Sequence, residues 1–373
     1  VNYPLRSRAA LLTAFGTPTT VESVDVPQEL EAGAILARVL RASVCGTDVH
    51  TWLGSGFTAD QKNLPSIMGH EMVGEVVAFG DGPQVDSIGQ SLAPGDRIVW
   101  THAPCGHCYY CGVGRSPSLC LNRQSYGRVS VNSFPGLTGA FAEYCYVFPT
   151  SGRVKVPDEV PDDWAAPSSC ALRTVVHLLE RVGVVESHES VVVQGTGPLG
   201  LFAVAMLHHT GIQHITAVGA PGPRLEIAKA YGASQLISLE EVPDPAARAG
   251  LVRDATRGSR GADVVLEMSG APQAYSEGLE LLAPGGRFGV AGQTSSERVP
   301  VDPSLVVRKQ LTVVGALSAH VGHYWKALEF LKESRGQFDW DAMLTPATGL
   351  DGLTQAMQAM RNGVMKPLID PQA

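Results

Sequence analysis

The sequence predicts an α/β protein in which an irregular, mostly-β region is followed by a doubly wound parallel sheet. Three observations predict it. Short β-like runs separated by Gly and Pro turns occupy the chain from about Ala9 to Val147. Strands and helices alternate regularly after Pro161. A Gly195-Thr-Gly-Pro-Leu-Gly200 turn stands where one of those strands gives way to a helix.

In the first region Gly33–Leu40, Met72–Phe79, Asp96–Trp100 and Phe141–Phe148 read as strands, bounded by turn residues and uninterrupted by a long amphipathic helix. That texture fits an antiparallel, barrel-like domain. Trp164 to Val182 has helical spacing. Val191–Gln194 is a buried strand, Pro198–His209 a helix, Ile215–Val218 a strand and Arg224–Tyr231 a helix. Asp263–Glu267 and Arg287–Ala291 are further strands with a helix, Ala271–Leu282, between them. Leu311–Gly315 adds one more strand, and the tail from Ala319 holds a helix over Tyr324–Glu333. Alternation of this kind implies a parallel sheet covered by helices on both faces.

The chain has 373 residues, 44% hydrophobic and 17% charged, with a formal net charge of −8. That length suits about two domains at roughly 150 residues each, and it supports a sizeable core because the buried share of the surface rises with size. A mild acidic excess argues against nucleic-acid or anionic-membrane partners, which need a basic face. No apolar run approaches the roughly 20 residues of a membrane-spanning helix. Val1 to Gly16 holds only a short apolar stretch, Ala9 to Leu12, with no small-residue cleavage site after it. The expectation is a soluble, cytoplasmic protein.

Seven cysteines stand at 45, 105, 108, 111, 120, 145 and 170, an odd number that suits a disulfide framework poorly. Four of them, Cys105, Cys108, Cys111 and Cys120, follow C-x2-C-x2-C-x8-C spacing, with Gly106 and Gly112 leaving room for tight turns. Thiolates so spaced converge on one ion, and four complete the tetrahedral shell of Zn²⁺ with no open position, which makes the site structural. Four free thiols in a loop, or an iron–sulfur cluster, are the alternatives; the rest of the chain does not read as an electron carrier.

Gly195-Thr196-Gly197-Pro198-Leu199-Gly200 is a G-x-G-x-x-G opening a helix directly after a strand. The first Gly makes the turn, the second lets the backbone approach a pyrophosphate, and the third lets helix and strand pack closely. The diphosphate then sits at the positive helix N-terminus. About twenty residues on, an NAD site carries an acid for the ribose 2′-hydroxyl. Here the strand runs into Gly219-Ala-Pro-Gly-Pro-Arg224 without a carboxylate. That absence, with Arg224 as a cationic partner, tilts the expectation slightly toward NADP over NAD.

Cys45-Gly-Thr-Asp-Val-His50, Gly69-His-Glu-Met-Val-Gly-Glu-Val76 with Gly80, Gly95-Asp-Arg-Ile98, the four-Cys lobe and the Gly-rich turn occur in this order. The set resembles the zinc-dependent medium-chain dehydrogenase/reductase family, the alcohol and polyol dehydrogenases, over nearly the whole chain to Lys366-Pro-Leu-Ile369. The resemblance implies that Cys45 and His70 are the first two catalytic zinc ligands. Cys170, in Cys170-Ala-Leu-Arg-Thr-Val-Val-His177, matches the third, while Leu172 and His177 keep the polyol-type frame. Two thiolates and an imidazole leave the fourth position open for water or substrate. Glu71 resembles the nearby carboxylate that approaches the metal during ligand exchange. Thr47 resembles the hydroxyl that begins the proton relay and His50 its solvent-side end, a role that suits a side chain titrating near neutrality. Thr174 matches a residue beside the nicotinamide.

The implied protein is a zinc-dependent oxidoreductase with two zinc ions per chain, transferring hydride between NAD or NADP and an alcohol, aldehyde or ketone. Its GroES-like catalytic domain spans 1–165 with the zinc lobe at 105–120, its Rossmann domain spans 166–318, and 319–373 returns to the catalytic domain. The active site is expected at the C-terminal ends of the parallel strands, with the loops Thr51–Asn63 and Gln124–Pro135 shaping the substrate site. A homodimer or homotetramer follows from the family. A zinc-free reductase of activated double bonds and a catalytically silent cofactor-binding protein are the rivals, and the filled ligand positions argue against both. The usual gap before the fourth structural thiolate is seven residues; here it is eight, and a bulge near Ser116-Pro-Ser118 is expected to absorb it.

Overall fold

The computed structural model describes residues 3–55, 59–292 and 298–373. It divides into two compact units: Val1–Arg173, Ala319–Glu333 and Met343–Ala373 form the first, and Thr174–Ser318 with Ser334–Ala342 the second. The first eight strands are β1 (Arg6–Leu12), β2 (Thr20–Asp25), β3 (Ile35–Ser43), β4 (Ser66–Ile67), β5 (Met72–Phe79), β6 (Arg97–Trp100), β7 (Tyr144–Val147) and β8 (Arg153–Lys155). Six more follow, β9 (Ser190–Gln194), β10 (His214–Gly219), β11 (Gln235–Ser238), β12 (Ala262–Glu267), β13 (Leu282–Val290) and β14 (Thr312–Gly315), before the short β15 (Leu368–Ile369). The helices are α1 (Gly46–Trp52), α2 (Tyr109–Gly112), α3 (Asp162–Pro167), α4 (Arg173–Val182), α5 (Pro198–His209) and α6 (Gly222–Ala230). After them come α7 (Pro245–Ala255), α8 (Pro272–Leu281), α9 (Pro303–Arg308), α10 (Val321–Glu333) and α11 (Leu353–Arg361).

The first unit is antiparallel. One sheet runs β2-β1-β4 and the other β15-β3-β5-β6-β8, with β7 also on β3. β3 is the centre of the larger sheet: β5 lies along one edge, and β7 and β15 share the other. Its Ile-Leu-Ala-Arg-Val-Leu run is therefore mostly buried, while β5 alternates buried Val76 and Ala78 with half-buried Glu75 and Val77, as a one-sided strand does. Leu12, Leu36, Ile67, Met68 and Phe141 are among the residues that close the core.

In the second unit the strand order is β11-β10-β9-β12-β13-β14, and every pairing is parallel. Successive strands thus spread outward from β9 in both directions, which is the doubly wound Rossmann arrangement. Val191, Val192 and Val193 of β9 are all buried, because both faces of a parallel sheet are covered. The chain reverses its direction of travel beside β9, so a ligand site is set beyond that strand's C-terminal end.

Several elements were not marked by the sequence, β11 and α7 of the second unit among them. β11 is only four residues, and α7 carries Ala and Gly without a sharp apolar stripe; Asp244 starts that helix by accepting from the Ala246 and Ala247 amides at 3.2 and 3.1 Å. The helical spacing of Trp164–Val182 resolves into α3, one π-helical turn over Ser168–Leu172, and α4. Pro167 withholds an amide there, and the Ser168 and Ser169 hydroxyls donate to the carbonyls of Ala165 and Ala166 at 2.8 and 2.6 Å. Cys170 lies in that widened turn.

The unit boundary falls at Arg173/Thr174, later than the 165/166 expected, and Ser334–Ala342 belongs with the second unit instead of the first. The reason for the latter is an aromatic cluster, in which Phe338 and Trp340 pack on Tyr231 and Trp340 on Phe202. Among the described residues, no helix is long and apolar enough to cross a membrane.

Candidate active site

Three separated stretches of the first unit meet at one point. Cys45 is the N-cap of α1, His70 and Glu71 precede β5, and Cys170 occupies the π turn. One ligand atom from each of Cys45, His70, Glu71 and Cys170 lies within 4.8 Å of the others. Gly69 sets the approach: its φ is +93°, and a Cβ there would fall 2.7 Å from the Cβ of Ala140. Asp48, buried on α1, holds the cluster in two places. Its Oδ2 accepts from the Cys45 amide at 2.9 Å, and its Oδ1 lies 3.3 Å from His70 Nδ1, which turns Nε2 toward the sulfurs.

Beneath the cluster lies a buried ion pair. Lys366 Nζ donates to both Glu71 oxygens at 2.6 Å, and the Ser43 hydroxyl donates to Oε2 as well. Burial pushes Glu71 up to about 7 against the pull of Lys366, with the Cys45 thiolate adding to the rise. The Cys170 thiol hydrogen-bonds to Cys45 and, with His70, holds Cys45 well below the usual thiol range, whereas that bond and burial push Cys170 up. Burial disfavours the His70 imidazolium, but Asp48 and the Cys45 thiolate outweigh it and raise the group to about 10. Two sulfurs and one imidazole with a carboxylate nearby form a donor set suited to a catalytic zinc with an open position.

The second cluster is Cys105, Cys108, Cys111 and Cys120, whose sulfurs also lie within 4.8 Å of one another. A tetrahedral zinc shell with bonds of 2.3 Å separates its sulfurs by about 3.8 Å. Cys108 Sγ lies 3.5 Å from Cys111 Sγ and 3.9 Å from Cys120 Sγ, so the four fit that shell. The Cys111 amide, at the start of α2, holds Cys108 down at about 6, favouring the thiolate a metal requires. A 3₁₀ turn at Pro117–Leu119 takes up the longer spacing before Cys120.

In the second unit a cavity of about 440 Å³ opens beyond the end of β9. Gly195, Thr196, Gly197, Pro198, Leu199, Gly219 and Arg224 line it. Gly200 lies beneath: a Cβ there would fall 1.8 Å from the Gly195 carbonyl, so α5 packs directly on the turn. Beside Gly197 nothing lies within 4 Å, which leaves its backbone open to a ligand. The buried Gln194 Oε1 and Thr196 Oγ1 make no hydrogen bond within the protein, although both residues line this cavity. The turn, the helix N-terminus and these two polar atoms fit a dinucleotide.

The remaining expected residues are more dispersed. Thr47 is half-buried and His50 exposed on α1, and no hydrogen bond joins their side chains; His50 Nδ1 faces the Ser55 hydroxyl at 3.4 Å. Thr174 opens the second unit and does not line the cavity. Part of the loop Thr51–Asn63, residues 56–58, lies outside the described residues. Three groups escaped the motif reading. Lys366 sits in the closing Lys-Pro-Leu-Ile segment, which marked it only as part of a resemblance. His102 stands 6.2 Å from the His70 ring, stacks on Tyr126 and accepts the Tyr126 amide at Nδ1, yet shares no spacing with the ligands. Arg248, bound to Glu277 at 2.6 and 2.8 Å at the cavity wall, had no motif at all.

Comparison with known proteins accords with this geometry. Residues 31–158 match the alcohol dehydrogenase GroES-like domain, and residues 198–333 match the zinc-binding dehydrogenase family. An L-threonine 3-dehydrogenase of Pyrococcus horikoshii is 33% identical over 362 residues, covering 95% of each chain. The crystal structure of an alcohol dehydrogenase from Thermotoga maritima superposes with a TM-score of 0.90 at 30% identity, covering 98% of this chain and 100% of the other. A zinc-binding dehydrogenase from Sinorhizobium meliloti, bound to NADP, gives a TM-score of 0.79 at 25% identity, covering 98% and 99%. The chain therefore belongs to the zinc-dependent medium-chain dehydrogenase/reductase family and is a nicotinamide-linked alcohol oxidoreductase.

Proposed function

We propose that Cys45, His70 and Cys170 hold the catalytic zinc, that Cys105, Cys108, Cys111 and Cys120 hold a structural one, and that NADP lies along Gly195–Gly200. The reaction interconverts an alcohol with an aldehyde or ketone. What carries the reading is the meeting within 4.8 Å of ligand atoms from distant parts of the chain. When bound, zinc supplies Lewis acidity toward the substrate oxygen and the nicotinamide supplies or accepts hydride. The protein's own residues do the rest. Asp48 fixes the His70 tautomer, and Glu71, held by Lys366 and Ser43, places a carboxylate beside the sulfurs. Thr47 exchanges the proton of the substrate hydroxyl, and exposed His50 exchanges it with water.

The direct test is zinc per folded chain by elemental analysis, with about two expected. One or none overturns the assignment of two sites. L-Threonine, the substrate named for the relatives, belongs in the first activity panel beside simple alcohols and carbonyls. Clustered thiols suit a reducing compartment, so a cytoplasmic location is part of the proposal, as is a homo-oligomer. Sedimentation tests the latter; a monomer sinks it.

Metal uptake should depend steeply on pH. His70, raised to about 10, is protonated at neutrality, and the Cys170 thiol is pushed up, while Cys45 is already thiolate. Zinc needs neutral imidazole and ionised sulfur, so filling this site displaces about two protons, one from His70 and one from Cys170. Lowering the pH opposes binding. Chelator competition between pH 6.5 and 7.5 should show apparent affinity at the catalytic site falling by ~100-fold per pH unit; a flat profile contradicts it.

The NADP assignment rests on the wall of the dinucleotide cavity. No carboxylate ends β10, Arg224 lines the space, and both Glu277 oxygens accept from Nε and Nη2 of Arg248. A 2′-phosphate thus meets a cationic wall. The expected result is a higher kcat/KM with NADP(H) than NAD(H), and a loss of about tenfold for NADP(H) in Arg224→Gln, the size of one charge-assisted hydrogen bond. Preference for NAD(H) in the unmodified enzyme overturns it.

A further inference from the structure

Gly219, the last residue of β10, stands where an NAD site carries its ribose-binding acid, about twenty residues past the Gly-rich turn. The backbone there does not call for glycine, since its φ lies outside the left-handed region. What leaves no room for a side chain is Thr196. A Cβ added at Gly219 would fall 2.3 Å from Thr196 Oγ1, 2.7 Å from its Cγ2 and 3.0 Å from its Cβ. All three are inside the roughly 3.5 Å of ordinary carbon contact.

Neither residue has room to retreat. The Gly195 amide donates to the Val218 carbonyl at 2.8 Å, which ties the Gly-rich turn to the end of β10. On its other side the turn abuts the chain after β12, where a Cβ at Gly195 would lie 2.8 Å from the Ser269 amide nitrogen. Gly219 is held by β11, through its pairing with Ser238 and the Leu239 amide, which donates to its carbonyl at 3.0 Å. Turning χ1 of Thr196 does not clear the space either. In every rotamer a threonine fills two of the three staggered positions on Cβ, and the two now filled both crowd Gly219. Any other rotamer keeps at least one of them filled. A serine, with one γ atom, has a rotamer that empties both. Thr196 is 3% exposed, and its hydroxyl has no hydrogen-bond partner among the described residues, so within the protein it contributes volume.

We propose that Thr196 determines cofactor choice by excluding a ribose-binding carboxylate from position 219. Thr196 and Gly219, which both line the dinucleotide cavity, then act as one coupled pair. The pair withholds from NAD the partner of its 2′-hydroxyl and leaves the wall that Arg224 lines to a 2′-phosphate. This rests on the reading of Gly195–Gly200 as the cofactor turn. An aspartate at 219 does not convert the site by itself; it needs a smaller side chain at 196.

The test places Gly219→Asp in four backgrounds of the full chain: Thr196 unchanged, Thr196→Ser, Thr196→Ala and Thr196→Val. Calorimetric titration with NAD⁺ and NADP⁺ reads binding without turnover. In the Ser and Ala backgrounds the aspartate should tighten NAD⁺ by about ten- to a hundredfold, the range of a hydrogen bond to a charged group, and should weaken NADP⁺ by repulsion. In the unchanged chain, and in Thr196→Val with its similar shape, it should bring no gain for NAD⁺ and should weaken both cofactors. A gain in the unchanged chain or in Thr196→Val that matches the gain in Thr196→Ala overturns the inference, as does a gain in no background. Where Gly219→Asp does not fold, Gly219→Ala decides without any cofactor. Its urea midpoint should fall in the unchanged chain and in Thr196→Val, and recover in Thr196→Ala; an equal loss in all of them overturns the inference. Tighter binding of NAD⁺ than NADP⁺ by the unmodified chain overturns the NADP reading alone, because each gain is read within its own background. Should the unmodified chain bind neither, the cofactor reading fails instead, and the urea comparison decides the inference.

Discussion

Replacing Cys170 with alanine should lower kcat by ~1000-fold or more, the scale of losing a metal that supplies the Lewis acid, and should reduce zinc from about two per chain to about one. The sulfur of Cys170 is one of three non-carboxylate donors at the site, and it also forms the hydrogen bond that stabilises the Cys45 thiolate. Removing it takes away a donor and leaves the remaining pair less suited to hold a dication. The dinucleotide cavity is built from the second unit alone, so nicotinamide binding should persist. Cys145→Ala is the contrasting variant. Cys145 is buried on β7, its thiol pushed up by desolvation, and it belongs to neither cluster. Its loss should cost about 1 kcal/mol of packing and no zinc. Normal zinc content and turnover in Cys170→Ala would falsify the ligand assignment.

The largest effect on stability should come from Lys366→Met, at about 3–5 kcal/mol, the usual consequence of leaving one member of a buried ion pair uncompensated. Lys366 is 3% exposed and Glu71 not at all, and the lysine spans both carboxylate oxygens. Without it, Glu71 faces the Cys45 thiolate in a desolvated setting and takes up a proton. Even with Lys366 in place, Glu71 is raised to about 7, above its ordinary value of 4.5. A carboxyl raised on folding contributes stability that is fully present below its unfolded pKa and is lost as pH rises through the folded one. Glu71's contribution should therefore decline between about pH 4.5 and 7, and further upward in Lys366→Met. Adding Glu71→Gln to Lys366→Met should restore part of the loss, because it removes the carboxyl that must otherwise bind a proton to stay buried without its partner. Urea unfolding of the two single variants and the double closes this cycle; strictly additive effects would show that the pair is not coupled.

The sequence by itself determined a good deal. Strict spacing is a local property, so the four-thiolate lobe at Cys105–Cys120 and the Gly195–Gly200 turn were readable without coordinates. Local periodicity likewise marked α5 at its observed bounds and placed most strands of the parallel sheet. Family motifs named Cys45, His70, Glu71 and Cys170 together before any distance was known. What only the tertiary structure decided was long-range or hidden by weak patterning. β11 and α7 are too short or too evenly mixed to announce themselves, and they exist because neighbours in the sheet and its covering layer complete them. The π turn that carries Cys170 depends on Pro167 and two serine hydroxyls competing with helix bonding. Lys366 lies almost 300 residues from Glu71 in sequence, yet pairs with it because β15 lies antiparallel to the end of β3. His102 shares no spacing with the ligands, and only folding brings its ring to 6.2 Å from that of His70. Sequence reports chemistry that must be close along the chain; charge balance in a buried site is a sum over the whole fold, and it becomes visible only when the fold is complete.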